Sequence, residues 1–370
     1  MKDARALLIL LRSGATAVAL RTLLDRFGGA VAVLSAGSGA WREAALPEGC
    51  FAALDRPDEA CLEADLEWLD QPAHHLIGWH SPDYPALLRT SSYPPAALYL
   101  AGDPDLLWHP QVAIVGSRRP TAGGRENARQ FARAFGRAGF AVTSGLAEGI
   151  DTAAHLGAME TSRTIAVLGT GPDLSYPPGN APLLRDIAAT GAVVTEHPPG
   201  TPGKRQHFPS RNRLIAGLAL GTVVIEAAVR SGALITARLA AEAGREVFAL
   251  PGSIHNPMAR GCHRLIRQGV GLAESPAEII ETLAPLAENL ASALRARLTA
   301  AGPADGQAGS RPMLGPQERS IWQALGHDPV NLDQLSERTG LTVGPLSAML
   351  LTMELDGKIS AEHGRYTRRS

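Results

Sequence analysis

Val112-Ala-Ile-Val-Gly-Ser-Arg118 is a run of four apolar residues, mostly β-branched, that leads directly into a glycine, a hydroxyl and a guanidinium. Pro120 and a helical pattern follow. A short, uniformly apolar strand is one whose two faces are both covered, as in a parallel sheet flanked by helices. The same rhythm recurs at Ala141–Thr143, Ile165–Leu168, Val193–Thr195, Val223–Ile225 and Val247–Leu250, each bounded by Gly, Pro or a helix-like segment. Strands of this kind alternating with helices predict a doubly wound α/β domain over residues 76–285.

Outside that core the patterning changes. Residues 1–75 read as short helices, for example Leu20, Leu23, Leu24 and Phe27 ahead of the glycine stop Gly28-Gly29. The turn at Arg12–Thr16 lacks the Gly-x-Gly of a DNA-binding helical hairpin. From His74 to Gly102 the chain is proline-rich and reads as a connector, with a strand-like run at Ala97–Leu100. Residues 286–313 read as a linker, small and polar towards its end. Residues 314–370 have the outline of a winged helix: three helices, at Ile321–Leu325, Leu332–Thr339 and Val343–Leu355, and a hairpin at Lys358–Thr367. The last of the three helices would be the one to enter a DNA groove, yet no Lys or Arg occurs from Leu341 to Leu355. Groove reading needs cations and amides, so a packing or protein-contact role is the better expectation.

The chain has 370 residues, 45% of them apolar and 19% charged, and a formal net charge of −1. That balance excludes a generally cationic nucleic-acid binder, so a polyanion site must be local. The charge is indeed sorted: Arg42–Asp70 holds nine acidic and two basic residues, whereas Gly116–Phe140 holds six Arg and one Glu. The three cysteines form no CxxC and match no metal-ligand spacing, and the first apolar run is too short to span a membrane. The expectation is a cytoplasmic protein with reduced thiols, no metal and no cofactor.

In an open α/β sheet, ligands bind where loops leave the carboxyl ends of the strands and helix N-termini present free N–H groups. Three segments supply candidates. Gly116, Ser117 and Arg118 could admit, donate to and grip a phosphate. The following helix repeats Arg125, Arg129, Arg133 and Arg137 along one side, read as a solvated face. Thr143–Asp151 offers backbone donors around Gly145 and Gly149, with Asp151 as a helix cap. The third segment is Phe208-Pro-Ser-Arg-Asn-Arg-Leu-Ile-Ala-Gly-Leu218, preceded by Lys204 and Arg205, with no acidic residue between Glu196 and Glu226. With a helix starting at Pro209, Arg211 shares the apolar face of Leu214, Ile215 and Leu218. It points inward, to an acid such as Glu226 or to a phosphate. Arg213 lies about 200° away, freer to meet solvent or backbone. Asn212 suits holding a loop or a base edge, and Phe208 is the ring for a base.

The Rossmann Gly-x-Gly-x-x-Gly, the Walker A loop and the Gly-x-Ser-x-Gly elbow are all missing, so no catalytic residue is assigned. Cations that neutralise a backbone, plus a ring on which a base can stack, are the make-up of a single-strand binder. The ligand read from these residues is single-stranded nucleic acid.

Val115-Gly-Ser-Arg118, Ser144–Asp151, Phe208–Leu218, Glu226–Ala237 and Gly244–Gly252, in this order, resemble the DNA-processing protein A (DprA/Smf) family over about residues 110–285. The resemblance implies a Rossmann-like core with a SAM-like helical N-terminal domain and a winged-helix-like tail. It also implies a non-enzymatic protein that protects incoming single-stranded DNA in natural transformation, loads the RecA recombinase onto it, and dimerises through the Rossmann-like domain. Carried over by position, Arg118 contacts DNA, Lys204 or Arg205 is the second basic contact, and Phe208 stacks. His207 stands where the family often has Asn. The alternative is a nucleotide or nucleoside-monophosphate hydrolase on a related scaffold, whose Pro-Gly-Gly-x-Gly-Thr-x-x-Glu loop is not matched at Pro251-Gly252-Ser253. A transcription regulator, resting on the tail alone, comes third.

Overall fold

The computed structural model describes residues 2–44, 46–301, 316–326, 330–356, 358–362 and 365–368. The strands are β1 (His74–Gly78), β2 (Ala97–Gly102), β3 (Gln111–Val115), β4 (Ala141–Ser144), β5 (Thr164–Val167), β6 (Ala192–Thr195), β7 (Gly221–Val224), β8 (Glu246–Ala249) and β9 (Gly271–Leu272). They form one sheet in the order β1-β2-β6-β5-β4-β3-β7-β8-β9. From β6 to β9 every pairing is parallel, while β1–β2 and β2–β6 are antiparallel. All six strands expected in the core are present. The proline-rich connector is more than that: β1 and β2 extend the sheet at its edge, because Ala97–Gly102 is buried along its whole length and pairs with β6.

Successive residues of each strand serve opposite faces. Ala113 and Val115 join Leu214, Ile215, Leu218, Ala233 and Ala237 in one core. Val112 and Ile114 join Ala128, Phe131, Phe135, Ala153 and Ile279 in the other. Full burial of a side chain such as Phe135 contributes about 1.5–3 kcal/mol. Helices Ala122–Arg137 and Ile150–Met159 thus cover one face, and His207–Leu218 and Ala233–Glu242 the other. Rossmann-like winding is confirmed.

At the N-terminal end, helices Lys2–Arg12, Ala17–Phe27, Ala30–Glu43 and Glu59–Leu69 share a core with Tyr99, Ala166 and Val193 of the sheet. Gly28 stops its helix as expected, with φ of 79° and its N–H on Leu24 O. Residues 286–301, expected as linker, continue the helix Pro276–Ala301, and residues 302–313 lie outside the described residues.

The tail adds helices Pro316–Leu325, Leu332–Thr339 and Val343–Leu355 and a three-stranded sheet of β10 (Val330–Asn331), β11 (Ile359–Glu362) and β12 (Arg365–Arg368). Its cation-free helix packs as its composition suggested. Leu346, Met349, Leu350 and Met353 enter the tail's own core, while Ala348 enters a core of the main sheet. Thr352 Oγ1 donates to Gly139 O at 3.1 Å.

Gly139 has φ of 86°, and a Cβ there would stand 2.8 Å from the carbonyl carbon and oxygen of Ala348. Gly139→Ala therefore costs about 1–2 kcal/mol in backbone strain alone and pushes the tail helix away. Faster amide exchange in residues 343–355, with a lowered Tm, is the expected result; unchanged exchange refutes the contact.

His155 gives the fold an acid limit. Its Nδ1 shares a 2.7 Å hydrogen bond with Thr164 Oγ1, which itself donates to Val142 O, so the histidine is the donor. Its Nε2 is buried without a partner among the described residues. Burial, then the charge of Arg211, pushes its pKa down to about 3. Below about pH 6.5 the unfolded chain takes up a proton that the folded chain refuses, so stability falls with pH by up to about 1.4 kcal/mol per unit. His197, pushed down to about 4, acts in the same direction. Urea midpoints measured from pH 7.5 to 4 should fall, and His155→Gln should flatten the decline; an unchanged slope refutes the assignment.

Candidate nucleic-acid interface

After β3 the chain winds outward through β4, β5 and β6, then returns to place β7 on the opposite side of β3. The two neighbours β3 and β7 therefore send their loops apart and leave a crevice at their carboxyl ends, where ligands bind in open α/β sheets. The crevice has a volume of about 820 Å³ and is walled by the loops after β3 and β7 and by the start of helix His207–Leu218.

Arg211 is the crevice floor. It is 4% exposed, and its Nη1 donates to Gly145 O at 2.6 Å and to Val167 O, the ends of β4 and β5. Asp151 lies beside it, accepting from Gly145 N at 3.1 Å and Ala147 N at 3.4 Å. Burial raises the Asp151 pKa against the pull of Arg211, and burial lowers Arg211 to about 10 against the pull of Asp151. Arg211 points inward as expected, onto backbone carbonyls, and the acid whose charge it feels is Asp151, not Glu226. Glu226 instead accepts from Thr121 N at 2.9 Å, Thr121 Oγ1 at 2.7 Å and Asn256 Nδ2 at 3.1 Å, clamping the β3 and β7 loops together.

Two donors of the expected backbone cradle are already engaged. The Gly145 N–H is used by Asp151, and the Ser117 N–H donates to Glu226 O at 2.7 Å. Gly116 and Gly149 are glycines for packing: a Cβ at 116 would lie 2.6 Å from Ile150, and one at 149 would lie 2.4 Å from Ser117 O. These contacts fix the loops beneath the side chains of the rim.

Those side chains form the rim. Arg118, Arg119, Arg205 and Arg230 are exposed and line the crevice. The Arg118 guanidinium lies 5.8 Å from the Phe208 ring centre, within cation–π range. Tyr176, 45% exposed, sits 4.8 Å from Phe208 at 43°. Phe208 is in the first turn of its helix, which starts at His207 two residues earlier than expected. Lys204 is exposed on the same loop but outside the crevice lining, whereas Arg205 is in it.

Arg213 faces away from the crevice, paired with Glu196 and donating to Tyr93 O at 2.6 Å. Asn212 holds a loop, its Nδ2 donating to Gly232 O at 3.3 Å. Sequence reasoning missed Arg119, Tyr176 and Arg230. The available signals were the Arg118-Arg119 doublet, an aromatic residue before Pro177-Pro178, and an arginine just before the Ser231-Gly232 turn. Among the described residues no group of three or more His, Cys, Asp or Glu could hold a metal.

Arg211→Met leaves the buried Gly145 and Val167 carbonyls without their donor and removes the positive charge beside buried Asp151, so it should lower stability by about 1–3 kcal/mol at neutral pH. Without Arg211 the Asp151 pKa rises further. A raised folded-state pKa stabilises below the unfolded value and loses that contribution as pH rises through the folded one. The deficit should therefore shrink towards about pH 4, and urea unfolding that shows a pH-independent deficit would refute the pairing.

Residues 75–284 match a family model described as DNA recombination-mediator protein A, and residues 306–365 one described as the DprA winged helix domain. Protein Smf of Escherichia coli (strain K12) is 40% identical over 310 residues, 83% of this chain and 80% of that protein. The X-ray structure of DNA processing protein A from Streptococcus pneumoniae superposes with a TM-score of 0.67 at 34% identity, covering 74% of this chain and 96% of that one. DNA processing protein A from Helicobacter pylori, whose structure is described for its single-stranded DNA binding mode, gives a TM-score of 0.52 at 28% identity, covering 57% and 95%. With its sheet, its crevice and its tail all falling in these matches, the chain belongs to the DNA-processing protein A (DprA/Smf) family.

Proposed function

We propose that this chain binds single-stranded DNA in the crevice between the β3 and β7 loops, the rim guanidiniums on phosphates and the Phe208–Tyr176 pair on a base. The observation that carries the reading is the conjunction of a half-buried ring, an exposed ring and exposed cations at one switch point. Arg118 lies against the Phe208 ring, Tyr176 stands beside it, and Arg119, Arg205 and Arg230 complete the rim. Bases stack on aromatic faces whatever their identity, and cations track the backbone. A duplex keeps its bases stacked and offers none to a ring.

Family membership supports the finer reading: a cytoplasmic, non-enzymatic protein that protects incoming single strands in natural transformation and loads RecA recombinase onto them. It acts as a homodimer through the Rossmann-like domain. Light scattering of the purified chain tests the dimer, and co-precipitation with RecA on oligo-dT tests the hand-over. No helix among the described residues is long and apolar enough to cross a membrane.

A salt titration tests the site. Arg118→Ala should weaken oligo-dT binding and reduce the log–log salt slope by about 0.7. Phe208→Ala should cost about 1–3 kcal/mol per stacked base and leave the slope unchanged. Wild-type binding by both variants, or duplex DNA competing as well as single strands, would overturn the proposal. Release of free base from a nucleoside monophosphate would favour the hydrolase.

A further inference from the structure

The helix Ala122–Arg137 begins at the crevice rim. Arg118 and Arg119 line the crevice, and the N-cap Thr121 is bound to Glu226 at the end of β7. Its buried stripe includes Gly124, Ala128, Ala132 and Gly136. Arg125, Arg129, Arg133 and Arg137 each follow one of these by a single residue. They therefore lie along one flank, about 6 Å apart in rise.

The four are not equivalent. Arg133 is neutralised by Glu160, at 2.5 and 2.9 Å, and has Glu126 at 3.9 Å. Arg125 and Arg129 are exposed and make no side-chain hydrogen bond or ion pair with any described residue. A solvated face gains from pairing its charges, as Arg133 does. Two unpaired guanidiniums between that ion pair and a cationic rim instead continue the rim's charge outward. Glu126 on this helix is engaged by Gln130 Nε2 at 3.2 Å, and the next carboxylate along the flank is Glu160, bound by Arg133 and within electrostatic reach of Arg129 without a bond to it.

We propose that the binding site extends beyond the crevice: a single strand leaving past Arg118 and Arg119 lays its phosphates along Arg125 and Arg129, and the track ends at the Arg133–Glu160 pair. This rests on the crevice binding single strands. One helical turn separates the two arginines, a step of the order of that between phosphates of an extended strand, so each guanidinium meets its own phosphate. Arg205 and Arg230 line the same crevice, and the strand enters past them.

Oligonucleotide length separates the track from the crevice. Fluorescence anisotropy compares oligo-dT of about 6 and about 20 nucleotides, within the span of single-strand site sizes, on wild type, Arg118→Ala, Arg133→Gln and the double variant Arg125→Gln/Arg129→Gln. The double variant should bind the short strand like wild type, bind the long strand about tenfold more weakly, and lose about 1.4 from the salt slope on the long strand only. Arg133→Gln should change neither. Unchanged long-strand binding by the double variant, an equal loss on both lengths, or an equal loss in Arg133→Gln would overturn the track. Arg118→Ala binding the short strand like wild type would instead overturn the crevice reading.

Discussion

A guanidinium buried under the crevice fixes which side chains of helix His207–Leu218 are free to act. Taking a charge out of water costs several kcal/mol, and here Asp151 and the carbonyls of Gly145 and Val167 offset that cost. Those partners are fixed to the ends of β4 and β5, so the helix can neither slide nor turn about its axis without leaving a buried charge bare. The rest of the helix follows. Leu214, Ile215 and Leu218 share the inward side with Arg211. Phe208, one turn earlier, is presented at the rim, and Arg213, about 200° round the axis, can only meet Glu196 and the Tyr93 carbonyl on the outer side. Two arginines separated by a single residue thus do different work, one as anchor and one as strap.

Glu226 does for the β3 and β7 loops what Arg211 does for β4 and β5. Its carboxylate takes both donors of Thr121 and the amide of Asn256, and its backbone carbonyl takes the Ser117 N–H. The loops at the switch point are therefore held before any ligand arrives, and a preorganised rim spends little binding energy on ordering. The cations that such a rim presents are few and local. A chain of net charge −1 can thus hold a polyanion, because its charge is sorted locally: Arg42–Asp70 holds nine acidic and two basic residues, Gly116–Phe140 six Arg and one Glu.

The sheet was legible because a strand buried on both faces has to be apolar throughout, and each of the six runs is short enough to be nothing else. The edge strands β1 and β2 were harder to read. His74–Gly78 is only partly buried and follows no alternation, and Ala97–Gly102 sits among prolines. At the site, residue types were legible and hydrogen-bond partners were not. Nothing local in Ser144-Gly-Leu-Ala-Glu-Gly-Ile-Asp151 says that the Gly145 N–H goes to Asp151, because Arg211, the residue that brings Asp151 inside, lies far along the chain. The same distance hides Tyr176. Its ring becomes a partner of Phe208 only when the loop after β5 folds over the start of the helix.

The tail follows the same rule that composition records what a face touches. Along Val343–Leu355, Gly344, Ala348 and Thr352 stand four residues apart, hence on one side. They meet Ala284 and Gly139, with Gly344 positioned so that a Cβ would lie 3.1 Å from the Ala284 methyl. Leu346, Met349, Leu350 and Met353 fill the tail's own core on the other side. Small residues let two helices approach closely, and large ones fill the space behind. A helix used on both sides gives most of its surface to packing. Its lack of Lys and Arg fits that position: on the sides that enter the two cores, a cation would lose its hydration.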